Sequence, residues 1–375
     1  MFQPVQILTR RTAALFVATV MLVGACSGGP AATTKPSTSA SAAASASAGA
    51  STGASSAPST AASATPSFNA QPGAITLVAY STPREAYEAL IPLFQATTAG
   101  SGVEFEESYG ASGDQRRAVE AGLPADFVEF SLAPDMDRLV KAGIVADDWN
   151  SNTSKGMITD STVAFVVRKG NPKNIHTWAD LLHEGVSVIT PNPFTSGGAR
   201  WNIMAAWGSQ IKQGKTEAEA TQYLTDRFGH VTVQDKSARD ALQTFVSGQG
   251  DVLLSYENEA ILAQQGGQDV DYIVPDQTIL IENPAAVTIK GGDAATQSQA
   301  FLDFLYTNEA QQAFANTGYR PVVDGVTPTN GLTFPTPSGL FTIDDLGGWT
   351  EVSTKFFDKT NGIVAAIERG LGINP

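Results

Sequence analysis

From Ile75 onward, apolar positions fall alternately into short runs and into sets spaced three and four apart. This is the pattern of buried strands alternating with the helices that cover them. Ile75–Tyr80 predicts a strand, and Thr82-Pro83 opens a helix, with Thr82 as N-cap and Tyr87, Leu90 and Phe94 on its inner face. Val103–Glu107 predicts a second strand and Ser112-Gly113 a second helix start. Asp126–Phe130 is a short third strand, after which Pro134 opens a helix that ends at Gly143. Thr162–Val167 is apolar throughout, as a strand covered on both faces must be. A short helix from His176 to Leu182 leads into VSVITPNPFTSGGARWNIMAAW, residues 186–207. Its first five residues predict a strand, Pro191 and Pro193 stop the ladder, and Ile203, Ala206 and Trp207 mark a helix that starts at the glycines. A helix over Thr216–Phe228, a strand at Val231–Val233, a helix from Lys236-Ser237-Ala238-Arg239 to Val246 and a strand at Asp251–Ser255 follow. Strands near Tyr272 and Ala286 and one long helix from Ala294 to Asn316 complete the pattern. The expectation is an α/β fold built on a mostly parallel sheet, or on two such sheets.

Small polar residues recur where a strand gives way to a helix: Ser81-Thr82, Ser112-Gly113, Ser196-Gly197-Gly198 and Ser237-Ala238. In open α/β sheets the ligand crevice lies outside the carboxyl ends of the strands. Each helix start there offers unpaired N–H groups and the positive end of the helix dipole. Gly197 and Gly198 let the backbone approach closely, and Ser196 adds a hydroxyl donor. A single such turn is an ordinary capped helix. Four of them predict one anion gathered by several helix starts.

The chain before Ile75 reads differently. Arg10 and Arg11 precede an apolar run from Thr12 to Val23, too short to cross a bilayer comfortably, and Val23-Gly24-Ala25-Cys26 closes it. Residues 1–25 are therefore expected to be a signal peptide. Cys26 is the sole cysteine, which excludes a disulfide within the chain. Its setting resembles a bacterial lipobox, which implies cleavage before it and lipid on its sulfur. The Ala-, Ser- and Thr-rich stretch to about residue 72 has too little apolar surface to fold and is expected to be a tether.

The formal charge is −14, and the leader's only charges are two arginines, so the chain without it is two units more negative. That acidity, with no basic block to offset it, excludes nucleic acid as a partner. It does not exclude an anion held by local dipoles inside a cleft. Catalytic chemistry is thin. His176, His183 and His230 are scattered, no Walker loop or HExxH occurs, and Gly110-Ala111-Ser112-Gly113 misses the nucleophile-elbow spacing by one residue. No enzyme, metal or cofactor is expected. Arg84, Arg200 and Arg239 each follow a helix start, where they either grip the ligand, stand behind it paired to acids such as Glu257 and Glu259, or form surface ion pairs.

VVRKGNPKNIHTWADLL, VSVITPNPFTSGGARWNIMAAWG, DVLLSYENEAILA and FTIDDLGGWT resemble the bacterial sulfate-binding proteins, the solute-binding component of sulfate and thiosulfate ABC importers. The resemblance spans about Ile75 to Glu368. It implies a two-lobed, type II periplasmic-binding-protein-like fold with the ligand in the interlobe cleft. The implied lobes are 73–160 with about 275–340, and 161–274 with about 341–375. It implies that sulfate is held by neutral donors: amides at Ser81 (where the family usually has Asp), Ser112, Gly197, Gly198 and Ala238, and the Ser196 hydroxyl. An indole N–H of the family falls at Tyr256, whose phenol can also donate. Asp114 stands where the family often has Lys, and whether it enters the cleft decides between sulfate and phosphate. The function implied is capture of sulfate for ABC permease subunits, by a monomer at the outer face of the cytoplasmic membrane, at the cell surface or in a periplasm, with the membrane reached only through the lipid on Cys26. Thiosulfate, molybdate or phosphate in the same fold, or an anion-sensing lipoprotein, are the alternatives.

Overall fold

The computed structural model describes residues 74–289 and 294–374. The signal peptide, Cys26 and the tether lie outside the described residues. The first strand, β1 (Ala74–Tyr80), pairs in parallel with β2 (Glu104–Gly110) on one side and β3 (Phe127–Glu129) on the other. Helices α1 (Arg84–Gln95), α2 (Ser112–Glu120) and α3 (Ala133–Lys141) each follow one of these strands. A long strand, β4 (Met157–Arg168), then leads to β5 (Val188–Pro191), α4 (Gly197–Lys212), α5 (Glu217–Gly229), β6 (Val231–Asp235) and α6 (Ala238–Val246). After these come β7 (Val252–Tyr256), α7 (Glu257–Gln265), β8 (Val270–Ile273) and β9 (Leu280–Val287). Helices α8 (Ala295–Leu305), α9 (Asn308–Asn316), α10 (Gly348–Phe357) and α11 (Ile363–Gly370) finish the described chain.

The strands form one path, β2-β1-β3-β9-β4-β7-β5-β6, with β8 also on β4. The expected mostly parallel sheet is in fact mixed. β5 pairs in parallel with β6 and β7, whereas β4 and β9 run antiparallel to every strand they touch. The reason is that β4 and β9 carry the chain across the molecule. The first part of β4 pairs with β9, as in Asp160 opposite Glu282, and the second part pairs with β7 and β8, as in Val163 opposite Tyr256 and Phe165 opposite Ile273.

Apolar packing follows the same division. In the half built on β1–β3, Leu77 and Ala79 meet Tyr87, Leu90 and Phe94 of α1 and Phe301 of α8, with the Phe94 and Phe301 rings edge to face at 5.0 Å. In the half built on β5–β7, Phe165, Trp178, Trp201, Met204 and Phe356 share a core, with Phe165 against Trp178 at 4.8 Å. Each such side chain contributes about 1.5–3 kcal/mol by leaving water. Helix α4 is buried almost all round: from Gly197 to Gln210 only Arg200 is not. It is an inner helix rather than one with a single apolar face.

Two local expectations are corrected. Thr82 does not cap α1; Pro83 is its N-cap, and the Thr82 hydroxyl instead pairs with the Tyr319 hydroxyl at 2.9 Å. The long helix from Ala294 breaks in two because the Thr307 side chain accepts from the Ala310 amide and starts α9 afresh.

Candidate functional site

Three helix starts face the same place. Ser196 caps α4, its Oγ accepting from the Ala199 amide at 3.4 Å, and Ser237 caps α6, accepting from the Asp240 amide at 3.1 Å. α2 follows Ala111, which has no side chain to cap with. The caps satisfy only the third amide. The amides of Ser112, Gly197, Gly198 and Ala238 find no acceptor among the described residues.

These four positions gather around a residue that the sequence reading did not single out, Ser131. It is fully buried and follows β3. Its amide donates to Ser112 Oγ at 3.1 Å, and its Oγ shares a 2.6 Å hydrogen bond with Tyr256 Oη. Its carbonyl accepts from Trp201 Nε1 at 2.8 Å. A Cβ on Gly197 would lie 2.6 Å from the Ser131 side chain, so the backbones of the two halves meet here at a distance only glycine permits. A Cβ on Gly198 would lie 3.3 Å from the Tyr256 ring, 3.5 Å from Ala238 Cβ and 3.5 Å from Ser196 Oγ. Just outside, the Gly113 amide donates to the Thr195 carbonyl at 3.1 Å, tying α2 to the turn before α4. The signal for Ser131 was present: Ser131-Leu132-Ala133-Pro134 is another small polar residue between a strand and a helix.

The other predicted residues take varied places. Ser81 lies next to Tyr80, whose ring is 6.3 Å from that of Tyr256, and next to Thr82, whose carbonyl accepts from Arg239 at 3.1 Å. Arg239 also pairs with Glu259 at 2.8 Å and with Glu85, joining α6 and α7 of one half to α1 of the other. Burial opposes its charge, but Glu259 and Glu85 hold its pKa above the ordinary arginine value. Arg84 is exposed and stacks on Tyr109, which keeps it out of this cluster. Arg200 donates from Nε to the Pro193 carbonyl at 3.0 Å and stacks on Phe357. Glu257 pairs not with these arginines but with Arg320, at 2.7 Å. Asp114 points to the rim, paired with Lys236 at 2.9 Å and with Arg117. Partial burial works against its charge, yet those two cations keep its pKa low.

The cluster offers donors without a free charge of its own. Burial, ahead of the Ser131 contact that opposes it, raises the Tyr256 pKa, so the phenol keeps its proton. The one unpaired carboxyl nearby is Glu129, two residues before Ser131, with both oxygens buried and unpartnered among the described residues. Burial pushes its pKa up to about 8, so it is mostly neutral at pH 7. Among the described residues no group of three His, Cys, Asp or Glu side chains is placed to hold a metal. Dipoles and hydroxyls drawn from two halves around one buried point, with no base beside a nucleophile among the described residues, make this cluster the candidate binding site for a small solute.

Known proteins give the same answer. Residues 75–320 match the family model of bacterial extracellular solute-binding proteins. The sulfate-binding protein of Synechococcus elongatus is 46% identical over 298 residues, 77% of this chain and 85% of that one. The thiosulfate-binding protein of Escherichia coli is 36% identical over 294 residues, 74% and 86% of the two chains. The structure of the sulfate-binding protein SubI from Mycobacterium tuberculosis superposes with a TM-score of 0.74 at 45% identity, covering 76% of this chain and all of that one. The chain belongs to the bacterial extracellular solute-binding proteins and, within them, to the sulfate-binding protein family. Its place of work is thus outside the cytoplasm.

Proposed function

We propose that this chain captures sulfate and delivers it to the permease subunits of an ABC importer. The lobes that close on the ligand are 73–160 with about 275–340, and 161–274 with about 341–375. The observation that carries the reading is the set of unpaired amides at Ser112, Gly197, Gly198 and Ala238 around the Ser131–Tyr256 hydrogen bond. With the Ser196 and Tyr256 hydroxyls and the Ser81 amide, they replace the water that a doubly charged anion loses. Sulfate carries no proton at neutral pH and wants donors only. A protonated phosphate would want an acceptor; Asp135 is already paired with Ser112 and Arg116 and Asp114 with Lys236, and Glu129, though unpartnered among the described residues, is completely buried. The phosphate proton, left without a free acceptor facing it, costs phosphate a hydrogen bond.

Calorimetric titration with sulfate, followed by competition with thiosulfate, molybdate and phosphate, tests this reading. Ser196→Ala is expected to weaken sulfate roughly ten- to a hundredfold, the worth of a hydrogen bond to a charged group. An unchanged affinity removes Ser196 from the site. Thiosulfate is the second reading, favoured by the Escherichia coli relative, and tighter binding of thiosulfate than of sulfate selects it. We further propose that lipid on Cys26 anchors the chain to the outer face of the cytoplasmic membrane. Cys26→Ser should shift the protein from the membrane fraction to the soluble one, and retention in the membrane removes the anchor.

A further inference from the structure

Beside the cluster, and sharing only Ser196 and Gly197 with it, lies a cavity of about 420 Å³. Ser112, Gly198, Ala238 and Tyr256 do not line it. Both halves supply its walls. Arg116, Arg117 and Arg138 come from α2 and α3, and Arg200 and Lys359 from α4 and the turn after α10. Five cations at one cavity are unexpected in a chain whose formal charge is −14.

The two carboxylates in the walls do not balance them. Asp135 accepts from Ser112 Oγ at 2.7 Å and from Arg116 Nε at 3.3 Å. Asp358 accepts the amides of Thr360 and Asn361 at 3.0 and 2.7 Å. Arg116 is further offset by Glu120 and Arg117 by Asp114. Arg138, Arg200 and Lys359 have no ion-pair partner among the described residues. Arg200 uses only Nε within the protein, which leaves both terminal nitrogens, the fork that grips oxyanions, without an acceptor among the described residues. Burial, and behind it the nearness of Arg138, Arg116 and Arg117 against the opposing pull of Asp135, lowers the Arg200 pKa from its ordinary value. A cation so placed gains from an anion. The rest of the wall mixes the hydroxyl side chains of Thr195, Ser196, Ser353, Thr354 and Thr360 with two aromatic rings, Phe194 under Lys359 at 5.4 Å and Phe357 under Arg200 at 4.9 Å.

We propose that this cavity is a second anion site, and that it takes a small organic molecule bearing a sulfate, sulfonate or phosphate group. The oxyanion end sits between Arg138 on one half and Arg200 and Lys359 on the other, and the organic body lies on Phe194 and Phe357. The cavity is roomier than a bare tetrahedral oxyanion requires, and its aromatic floor gives an inorganic ion nothing. Because each half supplies part of the wall, the site is complete only when the halves are together. Its occupant therefore favours the closed form and, by linkage, tightens the first site by the factor that sulfate tightens the second. This coupling, unlike the second site itself, rests on the sulfate reading above.

The test uses 4-nitrophenyl sulfate as probe, on the protein with and without saturating inorganic sulfate, in low-salt buffer. Equilibrium dialysis is expected to show one equivalent of probe bound in the presence of sulfate, and weaker binding of that equivalent in its absence. Arg138→Gln combined with Lys359→Gln changes two exposed side chains, so the variant should fold. It is expected to lose probe affinity at least tenfold and to titrate with inorganic sulfate as the wild type does. No bound probe, or equal binding to wild type and variant, overturns the second site. A matching loss of sulfate affinity in the variant also overturns it, because the cavity is then only the mouth of the first site. Probe binding that is indifferent to sulfate keeps the site and removes the coupling. Failure of sulfate to bind at all counts against the sulfate reading, while dialysis of the probe still reads the second site.

Discussion

Glu129 is a carboxylic acid inside a protein whose ligand is proposed to be a dianion. Its folded pKa of about 8 stands against an ordinary 4.5. Between those values the folded chain holds a proton that the unfolded chain has released. Stability therefore falls as the pH rises from about 4.5 to about 8, and levels off above. Asp160, pushed up to about 7 by burial and by Glu282, slopes the same way, so the comparison must hold it fixed. In Glu129→Gln the melting temperature should fall less across that window than in the wild type, with the two curves diverging most near pH 8. Parallel curves would show that Glu129 is ionised in the folded protein. Ser131 is the other residue of consequence at this scale. Its place between a strand and a helix was legible in the sequence, but its contact with Tyr256, 125 positions away, was not.

At the scale of the element, the glycine at the start of α4 sets how close the two halves come. Gly197→Ala adds one methyl group, 2.6 Å from the Ser131 side chain and 2.9 Å from Leu132 Cγ. The helix itself tolerates alanine, so folding should persist while the approach of the halves is blocked. Sulfate affinity is expected to drop at least tenfold. Gly229→Ala, with nothing within 4 Å of its new Cβ, should leave affinity unchanged; equal behaviour of the two variants would remove the contact from the closing surface. Elements were read well where a period or a cap announced them. Ile75–Tyr80, the Ser-Gly-Gly helix start and Thr216–Phe228 all carry such marks. Others lacked them. β4 runs through Thr159, Ser161 and Thr162, polar residues buried by their partners rather than by their own chemistry: Ser161 Oγ donates to Asn258 and Thr162 Oγ1 to Glu257. α7 opens with Glu257-Asn258-Glu259, three buried polar residues that no hydrophobic pattern selects. The break at Thr307 did leave a cap signal, which the apolar spacing on either side concealed.

For the molecule as a whole, what escaped the sequence was direction. Alternating strands and helices suggest parallel pairing throughout. The antiparallel strands β4 and β9 belong to no such unit and are fixed by contacts distant in the chain. The two halves are also tied together by more than the ligand site. Arg239 reaches from α6 to Glu85 and the Thr82 carbonyl, Trp201 to Ser131, and Gly113 to Thr195. Such pairs are made only when the halves are together. The burial of these pairs away from water strengthens each one, and the proposed closing of the lobes would thereby reinforce itself.

The continuity of β4 has an effect on inheritance. Because one uninterrupted strand is shared, a shortened gene that stops within it would leave β1–β3 without β9 beside them, and a gene that starts after it would leave β7 with one bare edge and β8 and β9 with no partner strand. Exposed edges of that kind recruit other chains and clump. Neither half can therefore be lent to another protein as a free-standing module, and any rearrangement that reuses this architecture must carry the strand entire.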